Sequence, residues 1–311
     1  MTDAASPHPY SLQLSHDFAA LVAAAAPAVV AVHGGGRRPS SGIIWQPGVV
    51  VTAEETIAQD SNNGSNVDSK VDVVLPGGNR VQATIAGRDP STDIAVLRYD
   101  AAFPPQTFAA MPAATGLQAG HLALAIGSAE GGAVAALGMV SFAGSPWKSR
   151  LGGHIDARLV IDMRLPAIAE GGALVAADGS FIGMAVFGPR RRVLAIPAAT
   201  IARMAPVILD KGHITRGYLG IGLQRVGIPV ADGSEARRGA MVVSLDPAGP
   251  ARTAGILQGD IIVAVGGAAV SGPRSVYHQL GPDAVGRTLS VDLIRAGAPV
   301  TVEVTVASRP A

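Results

Sequence analysis

Apolar positions along this chain follow two rhythms. From Ala28 to about Pro206 they gather in short β-branched runs, each broken by Gly, Pro or Asp. Examples are Val49-Val50-Val51, Val71-Asp72-Val73-Val74-Leu75, Ile94-Ala95-Val96-Leu97 and Phe181-Ile182-Gly183-Met184-Ala185-Val186. Strand runs at this spacing, with little helical periodicity between them, predict an antiparallel barrel or sandwich. Near the C-terminus the period of two is cleaner. Leu289, Val291 and Leu293 alternate with polar residues, Arg295-Ala296-Gly297-Ala298-Pro299 reverses the chain, and Val300, Val302, Val304 and Val306 alternate again. That pattern is a β-hairpin with one face in a core. Ahead of the first run, an Ala-rich stretch reads as a helix capped by Ser15 and ending near Pro27. The predicted organisation is a disordered tail over residues 1–14, a β-rich domain over 15–210, and a smaller domain over 211–311 that opens with the linker Lys211-Gly212-His213-Ile214-Thr215-Arg216.

A chain of 311 residues can bury two cores of this kind. Its 39 glycines and 22 prolines suit many short strands joined by turns. The formal net charge of +1 supplies no basic field for a nucleic-acid partner. With no cysteine there is no thiolate nucleophile, no disulfide staple and no Cys-based metal site. The apolar stretch from Phe18 to Val32 contains Pro27, is too short to cross a bilayer, and has no Lys or Arg before it. It therefore reads as neither a membrane span nor an export signal, and the sequence as given is expected to be cytoplasmic.

Several motifs carry more specific information. Ser40-Ser41-Gly42-Ile43-Ile44 and Pro47-Gly48-Val49-Val50-Val51-Thr52 form one pair of strand motifs. Gly87-Arg88-Asp89-Pro90-Ser91-Thr92-Asp93-Ile94-Ala95-Val96-Leu97-Arg98 forms a long third. Ala125-Ile126-Gly127, Gly138-Met139-Val140-Ser141, Gly171-Gly172, Asp178-Gly179 and Ala195-Ile196-Pro197 follow in order. Together they resemble the HtrA/Deg family, trypsin-like serine proteases followed by a PDZ domain, over roughly Phe18 to Ser308. The resemblance implies a mostly β fold, a trypsin-like double β-barrel with a C-terminal PDZ domain.

The chemistry of that family needs a serine to attack a carbonyl, a histidine to take its proton, and an aspartate to orient the histidine. Asp93 occupies the aspartate position. Glu55 stands where the histidine is expected, three residues beyond Thr52, and Glu170 stands where the serine is expected, before Gly171-Gly172. Ile168 replaces the glycine whose backbone shapes the oxyanion hole, and a branched side chain resists the angles glycine allows. Loss of triad members lowers the rate by about a millionfold. None of His8, His16, His33, His121, His154, His213 or His278 falls on a family position, and Ser141, Ser145 and Ser149 lie upstream without a motif. The expectation is a degenerate site.

Glu55, Asp93 and Glu170 would then share one cleft. Two unit charges about 4 Å apart repel by roughly 4 kcal/mol at an effective dielectric near 20. A proton, solvent or a divalent cation must relieve such a cluster, and Ca²⁺ or Mg²⁺ held by these three carboxylates is one candidate. Pairing of Glu170 with Arg164 is another, and hydrolysis by a carboxyl pair sharing a proton is a third. No other cofactor is implied. The basic run Arg190-Arg191-Arg192 reads as a solvated loop.

Arg216-Gly217-Tyr218-Leu219-Gly220-Ile221 resembles the carboxylate-binding loop of a bacterial PDZ domain. Such domains add the target's C-terminal peptide as a strand along their own edge. Tyr218, Leu219, Gly220 and Ile221 are the expected carboxylate and pocket residues, with Tyr277 or His278 on the facing helix. The expected function is a non-catalytic binder of peptides or unfolded C-termini acting as chaperone, adaptor or scaffold. An endopeptidase with an unorthodox site and a cation-binding scaffold are the alternatives. By resemblance the partners are protein C-termini, the assembly is a trimer with contacts from Tyr10 and Phe18, and the alternative location is the periplasm.

Overall fold

The computed structural model describes residues 9–35, 38–57, 69–100, 107–108, 111, 113–129, 132–212, 214, 216–228 and 237–308. It separates into two compact units, Met1–Trp147 with His154–His213, and Lys148–Gly153 with Ile214–Ala311.

The first unit opens with helix α1 (Pro9–Ala25). The expected tail over 1–14 and cap at Ser15 are thereby corrected: Ser15 lies inside the helix, and residues 1–8 lie outside the described residues. Proline is favoured in a first turn, where its missing N–H has no intrahelical acceptor, so the helix extends upstream. Gln13 Nε2 donates to Asp17 Oδ1 one turn on (2.8 Å).

Six strands follow: β1 (Val29–His33), β2 (Ser40–Gln46), β3 (Val49–Thr52), β4 (Lys70–Val74), β5 (Arg80–Asp89) and β6 (Ile94–Tyr99), with the single turn α2 (Glu54–Ile57) between β3 and β4. They close into a barrel in the order β1-β2-β3-β6-β5-β4. Its interior is filled by Val30, Val32, Ile44, Val50, Ile85 and Leu97, all but shut off from solvent. Burial of each such side chain contributes roughly 1.5–3 kcal/mol.

The second barrel uses β7 (Leu122–Ala129), β8 (Gly132–Gly144), β9 (Arg158–Asp162), β10 (Ala173–Ala176), β11 (Phe181–Phe187) and β12 (Val193–Pro197). Its order is β9-β12-β11-β10-β7-β8. Helix α3 (Ala198–Lys211) completes the unit and carries Pro206 within it, so the expected linker begins one residue later, at Gly212 with φ of 73°. Ile201, Met204, Ala205 and Ile208 form its buried stripe.

The C-terminal unit is built on β13 (Ile221–Ile228), β14 (Arg237–Leu245), the turn α4 (Pro250–Thr253), β15 (Ile261–Val265), helix α5 (Pro273–Gln279), β16 (Thr288–Arg295) and β17 (Ala298–Thr305). The strands run β13-β14-β15-β16-β17, and the short pair Ala268–Ala269 adds to β15. The hairpin expected at the C-terminus is present with a tighter turn: Arg295 pairs directly with Ala298. Ala296 and Gly297 between them take φ of 48° and 86°. Val291, Leu293, Val304 and Val306 point into the core.

Candidate functional site

The loop before Asp93 is fixed by a buried carboxylate. Asp89 Oδ1 accepts from the Ser91 N–H (3.1 Å) and Ser91 Oγ (2.6 Å), and its Oδ2 accepts from Thr92 Oγ1 (2.8 Å). This turn delivers Asp93 at φ of 57°, a conformation that Asp tolerates better than most residues. Asp93 Oδ1 accepts the backbone N–H of Glu55 (3.0 Å), and its carbonyl accepts that of Glu54 (3.3 Å).

The two adjacent glutamates part company. Glu54 is buried and ion-paired with the Arg88 guanidinium, whose Nε donates to its Oε1 (2.8 Å). Glu55, at the position expected for a histidine, is exposed to solvent. Among the described residues, no imidazole hydrogen-bonds to Asp93. Its carboxyl is raised from the ordinary 3.8 to about 7, chiefly by burial, against the Glu55 N–H that holds it down. The charges of Glu55, Glu170 and Glu54 push it the same way as burial.

Glu170 follows a single 3₁₀ turn, Ala167–Ala169, and is itself extended (φ −62°, ψ 134°). Its Oε1 accepts the Phe187 N–H (3.3 Å). Burial raises its carboxyl above the usual range, the Phe187 bond opposes that, the Glu55 charge adds to it, and the Arg191 charge opposes it. The expected partner Arg164 is replaced by these groups: among the described residues it makes no ion pair with Glu170. The Arg190–Arg192 run is correspondingly more than a solvated loop, since the Arg191 guanidinium lies 4.4 Å from the Phe187 ring centre.

Ile168, at the position expected to shape an oxyanion hole, keeps to local contacts. It stays within the 3₁₀ turn, and its carbonyl accepts Ser41 Oγ (2.6 Å). The Glu170 N–H donates back to the Ala167 carbonyl (3.3 Å). An oxyanion hole needs such an N–H aimed at the substrate oxygen instead.

Ser41, which drew no functional reading from the sequence beyond its strand motif, ties this region together. Its N–H donates to the Glu170 carbonyl (2.8 Å), its Oγ also accepts the Ser128 N–H (2.9 Å), and its carbonyl accepts Thr52 Oγ1 (2.7 Å). Gly171 is forced here. Its φ is 79°, and a Cβ would stand 2.2 Å from the Ser41 carbonyl oxygen. The structure thus brings Glu55, Asp93 and Glu170 within electrostatic reach of one another. Among the described residues, however, no group of three His, Asp or Glu side chains is arranged to hold a metal ion. Ser141 Oγ donates to the Val160 carbonyl (3.1 Å), and Ser149 Oγ accepts the N–H groups of Leu151 and Gly153. Both hydroxyls serve local structure. His8 and His213 lie outside the described residues.

In the C-terminal unit, Gly217–Tyr218 pairs with Ala307–Ser308, Leu219 is buried, and Gly220 turns the chain at φ of 72°. A Cβ on Gly220 would meet the Gly249 Cα at 2.9 Å. Asp246 braces the loop: it accepts from Tyr218 Oη (2.7 Å) and the Ala248 N–H (3.0 Å), while its own N–H donates to the Gly220 carbonyl (2.8 Å). Successive N–H groups in such a loop make an anion-binding concavity. Ile221 and Leu223 on β13 pack partly buried against the core, and Tyr277 on α5 is exposed. His278 is directed elsewhere than the peptide wall expected of it, with Nε2 3.3 Å from the Ser149 carbonyl oxygen.

Comparison with known proteins agrees with the two-domain fold. Residues 40–184 match a model of the trypsin-like peptidase domain, and residues 217–306 match a PDZ domain. A probable periplasmic serine endoprotease, DegP-like, of Brucella suis biovar 1 is 29% identical over 272 residues, covering 85% of this chain and 52% of the relative. The periplasmic serine endoprotease DegP of Salmonella typhimurium is 29% identical over 269 residues, covering 82% and 55%. The chain spans about half the length of the curated relatives it matches. Among solved structures, the HtrA-type protease AlgW with a decapeptide superposes with a TM-score of 0.70 at 25% identity, covering 94% of this chain and 99% of that one. A serine endoprotease from Yersinia pestis gives 0.69 at 27% identity, covering 98% and 100%. Among the described residues, no helix is long and apolar enough to cross a membrane.

Proposed function

The chain belongs to the HtrA family, a trypsin-like peptidase domain followed by a PDZ domain, and from that premise we propose that it is a pseudoprotease. Its barrel is a scaffold, and its PDZ domain captures the C-termini of peptides or unfolded proteins in a chaperone or adaptor role. One observation carries the reading. The residue before Gly171-Gly172 is an acid whose own N–H is spent on the Ala167 carbonyl. Nucleophile, base and oxyanion donor are therefore missing from one place at once, and each is needed for acyl transfer.

Peptide capture is supported by the braced Tyr218–Ile221 loop and by the decapeptide-bound state of AlgW. Exposed Tyr10, Leu12 and Leu14 on α1 favour self-association, and a trimer is the form we propose. The relatives named above are periplasmic, which favours an exported compartment over the cytoplasm.

A second reading, endopeptidase activity, is favoured by the printed names of the same relatives. Digestion of casein by the full chain, beside a Glu170→Ala control, separates the two. The pseudoprotease reading predicts no cleavage above background in either protein. Cleavage that the control lacks would establish an enzyme. Fluorescence anisotropy with paired free-acid and amidated peptides tests capture, and equal binding of the two forms would rule out carboxylate recognition.

A further inference from the structure

We propose that the PDZ groove selects an acidic side chain four residues before the ligand's C-terminus, read by Arg225 with Arg274 beside it. This rests on the peptide-capture reading above and specifies which peptides are captured.

The register follows from strand addition. β13 is the outermost strand of its sheet, so its far edge is open to an added antiparallel strand. With the terminal residue opposite Ile221 at the end of the carboxylate loop, each ligand residue backwards pairs one residue further along β13. The residue two back lies opposite Leu223, and the residue four back lies opposite Arg225. Side chains alternate along a strand, so Ile221, Leu223 and Arg225 share a face. Ile221 and Leu223 on that face pack towards the core. An apolar terminus and an apolar residue two back are thus matched by apolar neighbours, and the next matching position meets a cation. Directly opposite charges across a strand pair attract.

Arg225 is placed for this role. Its guanidinium lies against the backbone of Gly272, the residue before α5, where a Cβ would stand 2.9 Å from Nε. Glycine there leaves the guanidinium its seat at the groove's far end. Arg274 follows two residues on, exposed and one turn before Tyr277 on the same side of α5. Neither arginine has a hydrogen bond or ion pair among the described residues. Three acids of this unit are committed to other partners: Asp246 to Tyr218, Asp260 to Arg295 and Asp292 to Thr301. Guanidinium offers a planar fork that matches a carboxylate. Lysine in the ligand would meet repulsion at the same point.

The test is fluorescence anisotropy on the full chain with peptides of one sequence, free acid at an apolar terminus, differing only four residues from the end: Glu, Ala or Lys. An exposed pair predicts that Glu binds about two- to fivefold tighter than Ala, and Lys weaker than Ala. Raising the salt to about 0.5 M should compress the differences. Arg225→Glu should invert the order, and Arg225→Gln should level it, with circular dichroism confirming an intact fold. Equal affinities in the wild type, or an unchanged order in Arg225→Glu, would overturn the inference and leave peptide capture standing. Free-acid peptides that all bind no better than an amidated control would defeat both.

Discussion

Asp93 without its histidine is the feature most open to measurement. In the unfolded chain its carboxyl ionises near 3.8, and in the fold near 7, mainly through burial. Between those pH values the folded state holds a proton that the unfolded state has released. Stability therefore falls as pH rises through the window and stays lowered above it. A rise of about three pH units corresponds to roughly 4 kcal/mol at about 1.4 kcal/mol each. Because the side chain keeps partial contact with solvent, we take about 2 kcal/mol as the working figure. Asp93→Asn keeps an oxygen for the Glu55 N–H, keeps a residue type that tolerates φ of 57°, and removes the charge. The variant should melt higher than wild type by about 4–8 °C at pH 8 and by almost nothing at pH 4. Differential scanning calorimetry of the barrel transition, run for both proteins across that range, measures the gap. A gap independent of pH, or a variant less stable at pH 8, would refute the reasoning and imply that a cationic partner meets Asp93 in solution.

Three further outcomes follow from the same contacts. Ser41→Ala removes the Oγ that joins Ile168 and Ser128, and should cost about 1–3 kcal/mol in chemical denaturation. Glu54→Ala strands Arg88 in a mostly buried site and should cost about 3 kcal/mol, part of which Arg88→Met restores in the double variant. Rebuilding the triad with Glu55→His and Glu170→Ser should leave casein almost untouched while Ile168 remains. Adding Ile168→Gly should raise turnover about a hundredfold or more, because it frees the oxyanion donor, and quantified casein release reads the difference.

The β framework was legible because β-branched runs and turn residues agree with the tertiary packing at every strand. The Gly87–Arg98 run and the Arg216–Ile221 loop were legible for another reason: backbone geometry there leaves little freedom of side chain. Competing signals hid the remaining features. The β-branched runs read as extending to about Pro206, yet Ile201, Met204, Ala205 and Ile208 already carried a helical stripe. Ser15 looked like a cap, but helix formers upstream allowed α1 to start at Pro9. Glu54 and Glu55 are chemically alike in the sequence, and only the approach of Arg88 from β5 decides which is buried. Likewise Arg191, and not Arg164, reaches the surroundings of Glu170, because the β11–β12 loop returns beside it. These are long-range juxtapositions, and local pattern carries no trace of them.

No activated serine is expected in this barrel. Incubating the purified chain with a fluorophosphonate probe, beside an active serine protease as positive control, and mapping any adduct by mass spectrometry tests it directly. The expected result is an unmodified protein while the control is labelled to completion. A stoichiometric adduct on any serine of the chain would contradict it.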